Sequence, residues 1–240
     1  MIFDPYELNY SKVHTYQDCP LLFKYIYVDG RRAPLTPLSS LGISIHKALE
    51  AFHADEYRTG EEMVSCFDDV WLGAGYKDAQ EQMEHYLRGK RMLLAYARAE
   101  EERKSLITCV EKMFDFPYKQ WRIKGTVDRI DRHPSGEYEV IDYKSGPEIR
   151  TGEELKKSLQ LGVYAMGAKM AFGLTPSMIS WVFLYHEKRL TAPYDPAFDE
   201  VVLEQFVKVG EGIVAGKFEP RREFCSICPL GHACSARPQE

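Results

Sequence analysis

From Trp121 the chain alternates in polarity. Trp121, Ile123 and Val127 are apolar, and Arg122, Lys124, Thr126 and Asp128 between them are polar. This period of two predicts a strand over 120–131. Similar runs predict strands over 106–116 and 137–144, and Pro134-Ser135-Gly136 supplies the turn that joins 120–131 and 137–144 in a hairpin. A further strand is predicted over 178–187. Helical spacing replaces it elsewhere. Leu41, Ile45, Leu49 and Phe52 share one face of a helix over 41–57. Residues 60–104 read as helical, with Met83, Tyr86, Leu87, Leu94 and Ala97 as an apolar stripe. Helices are also predicted over 153–172, ending at Gly173, and over 196–216. At the N-terminus, 10–28 reads as a short helix capped by Ser11, a Cys19-Pro20 break and an aromatic-rich helix, and 29–40 as a loop. Strands, helix, strand, helix predict an α/β fold with a mixed sheet flanked by helices.

Composition narrows the class. The 240 residues are 45% hydrophobic and 28% charged, suited to a single domain (1–240) with a helical insertion at 60–104. We divide it into N-terminal helices (1–59), that insertion, a core (105–220) and a cysteine-rich end (221–240). No apolar run reaches the roughly 18 residues of a transmembrane helix. The opening Met1-Ile2-Phe3-Asp4-Pro5 lacks the basic and apolar regions of a secretory signal, so a cytoplasmic protein with no membrane association is expected. The net charge of −5 is not that of a protein coating nucleic acid. Local basic groups remain: Lys119, Arg122 and Lys124; Lys156 and Lys157; Lys188 and Arg189; Lys217, Arg221 and Arg222.

The hairpin carries the candidate chemistry. Gly125-Thr126-Val127-Asp128 is followed by Val140-Ile141-Asp142-Tyr143-Lys144. Asp142 and Lys144 project from one face of a strand, and hairpin pairing can bring Asp128 beside them. Two converging carboxylates repel unless a cation lies between them. Mg²⁺ or Mn²⁺ suits such oxygen ligands. A lysine beside that ion can stabilise negative charge developing on phosphorus. Gln160 and Tyr164, four apart, share a helix face.

Cys225, Cys228 and Cys234 form a C-x2-C-x5-C loop, a compact soft-metal site that needs a fourth ligand. Zinc through Cys225, Cys228, His232 and Cys234 is one chemically sound completion. Cys66 and Cys109 fit no ligand pattern and read as small buried hydrophobes.

The order Gly42-x-x-x-His46, Gly125-x-x-Asp128, Asp142-x-Lys144, Gln160-x-x-x-Tyr164 resembles RecB-family nucleases of the PD-(D/E)XK type, including the AddB nuclease domain and CRISPR-associated RecB-like exonucleases. Ser11, Tyr16, Cys19-Pro20 and Phe23 resemble the opening of that family. The resemblance covers the chain except for about 60–104. It implies a restriction-endonuclease-like fold and metal-dependent hydrolysis of DNA, at single strands or duplex ends, in DNA repair and recombination or CRISPR adaptation alongside partner proteins. It implies His46, Asp128 and Asp142 as metal ligands, with the Tyr143 carbonyl as a further one. Lys144 would be the catalytic lysine, and Gln160 and Tyr164 would position DNA and the active-site elements. Glu111 would match an additional acidic residue of some members. The same resemblance implies a four-iron–four-sulfur cluster on Cys19, Cys225, Cys228 and Cys234. The rival readings are a non-catalytic DNA-end-binding module and a zinc-stabilised interaction module.

Overall fold

The computed structural model describes residues 3–54 and 59–237. Two compact units emerge from the chain's own contacts. One draws on residues 3–34, 115–125 and 197–237, the other on 35–114 and 126–196. No helix of the described residues is long and apolar enough to cross a membrane.

In the first unit a short strand, β1 (Glu7–Leu8), pairs in parallel with the start of β3 (Trp121–Arg132), Glu7 facing Arg122 and Leu8 facing Ile123. Helix α1 (Tyr10–Asp18) is capped by the Asn9 side chain on Lys12 N–H rather than by Ser11, which lies inside the first turn. The predicted break holds. Cys19 is extended, and Pro20, lacking an N–H, opens the four-residue α2 (Pro20–Phe23). A π-helical turn, Lys24–Val28, follows. The last helix, α8 (Phe198–Val214), packs on α1 in this unit. A Cβ on Gly210 would collide with the Trp121 ring, so glycine admits close packing there.

The second unit holds the rest of the sheet. Strands β2 (Leu106–Tyr118), β4 (Tyr138–Lys144), β5 (Pro176–Phe183) and β6 (Lys188–Pro193) join β3 in the order β3-β4-β5-β6, with β2 on β3. The β3–β4 hairpin is antiparallel with Arg129 opposite Ile141, and Gly136 takes a positive φ of 93° in the predicted turn. β4 and β5 are parallel, with Asp142 opposite Trp181. The sequence reading missed β6. The run over 178–187 stops at Phe183, passes through a 3₁₀ turn and the left-handed Glu187 (φ 51°), and returns antiparallel through Lys188 and Arg189.

Helix α3 (Pro37–Ala54) begins earlier than expected, because Thr36 and Ser39 satisfy each other's backbone N–H groups ahead of Leu41. Its predicted end at Tyr57 lies outside the described residues. Helices α4 (Gly60–Val70) and α5 (Ala79–Glu101) pack on it. The expected α5 stripe is shifted. Met83 and Leu87 are about half exposed, and Gly89, Met92, Leu93, Tyr96 and Ala97 make the buried face. That face joins Leu41, Ile45, Leu49 and Phe52 over Ile141 and Tyr143 in one core. The predicted helix over 153–172 is two helices, α6 (Gly152–Lys156) and α7 (Leu159–Phe172). Ser158 caps the second by accepting from Leu161 N–H, and left-handed Gly173 ends it.

Beneath α5 the sheet buries charge. Arg129, 2% exposed, donates to both oxygens of Asp131, to Glu100 and to the Tyr96 hydroxyl. Each buried charge has an opposite partner, which is the condition for tolerating it there.

Candidate metal centre and cysteine cluster

The second unit brings the hairpin motifs to one place. A Cβ on Gly42 would lie 3.2 Å from Ser145 Oγ, so glycine lets α3 approach the turn that follows Lys144. One helical turn later, His46 Nδ1 stands 3.6 Å from Glu111 Oε1 and 3.6 Å from Asp128 Oδ2. Ligand atoms of His46, Glu111 and Asp128 all lie within 4.8 Å of one another. Glu111 holds a φ of 41° in mid-strand, a left-handed conformation that costs a non-glycine residue on the order of 1–2 kcal/mol. Strain of this kind concentrates at functional sites.

Continuing the hairpin register by one residue sets Asp128 opposite Asp142. Both are buried. Asp128 Oδ2 accepts the Tyr143 N–H at 3.0 Å. Burial, and then the Asp142 charge, push the Asp128 carboxyl upward. Burial would hold His46 down, but the carboxylates of Glu111, Asp128 and Asp142 win and raise it.

Lys144 Nζ is 2.6 Å from Asp142 Oδ2. This is a charge contact without hydrogen-bond geometry, because Asp142 Oδ2 is sealed from solvent and has no hydrogen-bond partner. The lysine donates instead to Gln160 Oε1 at 2.8 Å, and Gln160 Nε2 donates to the Tyr164 hydroxyl at 3.0 Å. Burial and the nearby Asp142 and Asp128 charges hold that phenol well above its usual range. Gln160 sits in the first turn of α7, so the Ser158 cap fixes its position.

His46, Glu111, Asp128, Asp142, Lys144, Gln160 and Tyr164 are thus assembled. The compact triple contains Glu111, whereas Asp142 is engaged with Lys144. Tyr143 is buried, and its hydroxyl lies 2.8 Å from that of Tyr96. Tyr96 also meets His53 Nε2 at 2.7 Å and Arg129. The sequence offered no signal for this support, because its members come from α3, α5, β3 and β4. The clustered donors of His46, Glu111 and Asp128, with the Asp142 charge near enough to act on both His46 and Asp128, fit a divalent ion.

The four predicted cysteines share the first unit. Cys19, Cys225, Cys228 and Cys234 line one small cavity with Leu22, Tyr25 and Arg221. The Arg221 N–H donates to Cys19 Sγ at 3.4 Å. Burial, and the proximity of Cys234, Cys19 and Cys225, push the Cys228 thiol up. His232 is exposed and does not line the cavity. Among the described residues, no three of these side chains bring ligand atoms within 4.8 Å of one another. Cys66 is buried in the core as expected, but Cys109 is partly exposed.

Comparison with known proteins agrees with this architecture. The Gene 69 protein of Mycobacterium phage D29 is 30% identical over 93% of this chain and 94% of its own length. The Gene 69 protein of Mycobacterium phage L5 is 31% identical over 52% of this chain and 43% of its own. A crystal structure of a candidate exonuclease from Eubacterium rectale superposes with a TM-score of 0.60 over 98% of this chain and 91% of that one, at 11% identity, so the fold is shared. The sequence profile of the PD-(D/E)XK nuclease superfamily matches residues 7–235, and the chain belongs to that superfamily.

Proposed function

We propose that this protein is a divalent-metal-dependent DNA nuclease acting on single strands or duplex ends. The observation that carries the reading is the meeting of His46, Glu111 and Asp128 beside the buried Asp142–Lys144 pair. His46, Glu111, Asp128 and Asp142 would hold the ion, with the Tyr143 carbonyl as a further oxygen. The imidazole in that set favours Mn²⁺ over the all-oxygen preference of Mg²⁺. Bound there, the ion would supply Lewis-acid polarisation of the scissile phosphate. Lys144 brings its ammonium to the charge that develops on the phosphoryl oxygens. Gln160, bonded to both Lys144 and Tyr164, keeps the lysine from collapsing onto Asp142 alone. Preference for strand ends follows the RecB-family resemblance.

Cys19, Cys225, Cys228 and Cys234 would hold a four-iron–four-sulfur cluster. Support comes from the shared cavity and the absence of His232 from its lining. Four thiolates drawn from residues 19 and 225–234 would tie the ends of the chain together within the first unit, making cluster binding part of its folding energy.

The test is digestion of end-labelled single- and double-stranded DNA by purified protein with Mn²⁺, Mg²⁺ or EDTA. Metal-dependent release of labelled nucleotides is expected from wild type and not from Asp142→Ala or Lys144→Ala. Digestion that persists in EDTA, or in either variant, would sink the assignment.

A further inference from the structure

Two neighbouring cavities lie on the other face of β4. Side chains alternate along the strand, so Glu139, Ile141 and Tyr143 face away from Asp142 and Lys144. Under α5, Ala95 and Ala99 are one helical turn apart, and their short side chains leave a cavity of about 170 Å³ against Val182 and Leu184. That is close to the ~150 Å³ apolar cavity known to admit benzene. Its lining is mostly carbon, with Met92 and the Tyr96 ring, and its charged members are Glu100, Arg103, Glu187, Lys188 and Arg189. The same two arginines line a neighbouring cavity of about 310 Å³, with Lys104, Ser105, His133 and Thr191. Among the described residues, Glu139 is the one carboxylate lining that second cavity.

Glu139 is already engaged by several donors. It accepts from Ser180 and Arg189, and meets His133 Nε2 at 2.7 Å. Asp131 likewise accepts from Arg129, Ser105 and Arg103. These carboxylates orient the arginines without using all their donors. A guanidinium carries five. Arg103 employs Nε and Nη2, and Arg189 employs Nε and Nη2. Among the described residues neither Nη1 has a hydrogen-bond partner in the protein. A ring-sized, mostly carbon-lined cavity therefore adjoins one lined by Arg103, Lys104 and Arg189, whose two guanidinium groups each keep an Nη1 without a protein acceptor among the described residues.

We propose that these adjoining cavities bind a nucleotide, its base between α5 and β5 and its phosphate on Arg103, Arg189 and Lys104. The choice of a nucleotide among ring-bearing anions rests on the nuclease reading, and its source is either a free mononucleotide or the terminal nucleotide of a strand. The site shares no residue with the metal centre.

Titration with deoxyadenosine 5′-monophosphate in EDTA, followed by calorimetry, tests this without cleavage, so the proposal and the nuclease reading can fail separately. Saturable binding is expected, at least tenfold weaker for deoxyadenosine and for inorganic phosphate. Ala95→Leu fills the apolar cavity, and Lys104→Ala removes an exposed cation. Each should weaken binding at least fivefold in protein that unfolds at the wild-type temperature. Lys104→Ala carries the test if Ala95→Leu does not fold. A 5′-phosphorylated oligodeoxynucleotide that competes identifies the strand end as the source, and one that does not identifies the mononucleotide. Wild-type protein that does not bind the nucleotide saturably, or binding that no folded variant weakens, overturns the proposal.

Discussion

Glu111 reaches His46 from a backbone that is itself out of place, with its φ of 41° in the middle of a strand and its carboxylate 3.6 Å from the imidazole. Glycine adopts that conformation without the side-chain clash. Glu111→Gly should therefore unfold at or above the wild-type temperature, with a gain of up to about 1 kcal/mol, while Mn²⁺ affinity and cleavage fall. Calorimetric melting and metal titration on one preparation check both halves. A large loss of stability with intact metal binding would return Glu111 to a structural role.

The Lys144–Gln160–Tyr164 chain predicts graded effects. Gln160→Ala frees the lysine to pair with Asp142 alone, and a displacement of this kind can cost roughly 10²-fold in rate. Tyr164→Phe removes one hydrogen bond worth about 1 kcal/mol and should be milder. Turnover numbers under saturating Mn²⁺ rank the variants. Equal activity in Gln160→Ala and wild type would break the proposed chain.

Metal binding should release protons. In the metal-free protein His46 is pushed up to about 9 and Asp128 up to about 7. Both must be deprotonated to bind a metal. At neutral pH His46 is protonated, so apparent Mn²⁺ affinity should rise with pH and level off above about 9, with a steeper rise below about 7. Calorimetry at pH 7 in buffers of different ionisation enthalpy reads the release directly. An enthalpy independent of buffer would contradict it.

The cysteine cavity makes opposite predictions for two side chains. Cys19→Ala should abolish visible absorbance near 400 nm, reduce iron content and lower the melting temperature, because structural metal supplies on the order of 10 kcal/mol in small domains. His232→Ala should change none of these. If Cys19→Ala keeps its metal while His232→Ala loses it, the zinc site is the correct one.

What the sequence determined by itself was local. Alternation and turn residues located β3 and β4. The Asp142–Lys144 spacing placed both on one face, and a separation of four set Gln160 beside Tyr164, because these relations depend on the repeat of a single element. The cysteine spacing likewise marked a compact loop. Tertiary structure decided the rest. Glu111 enters the tight triple and Asp142 pairs with Lys144 because α3, β2 and the hairpin converge, and no pattern within one element encodes that approach. Arg129, a charged residue in a strand, is buried because Asp131, Glu100 and Tyr96 surround it from two elements. β6 went unread because its Lys188 and Arg189 look like solvent-facing residues until β5 and Glu139 supply their partners. The α5 stripe shifted for the same reason: helical periodicity offers several faces, and the neighbours decide which one is buried.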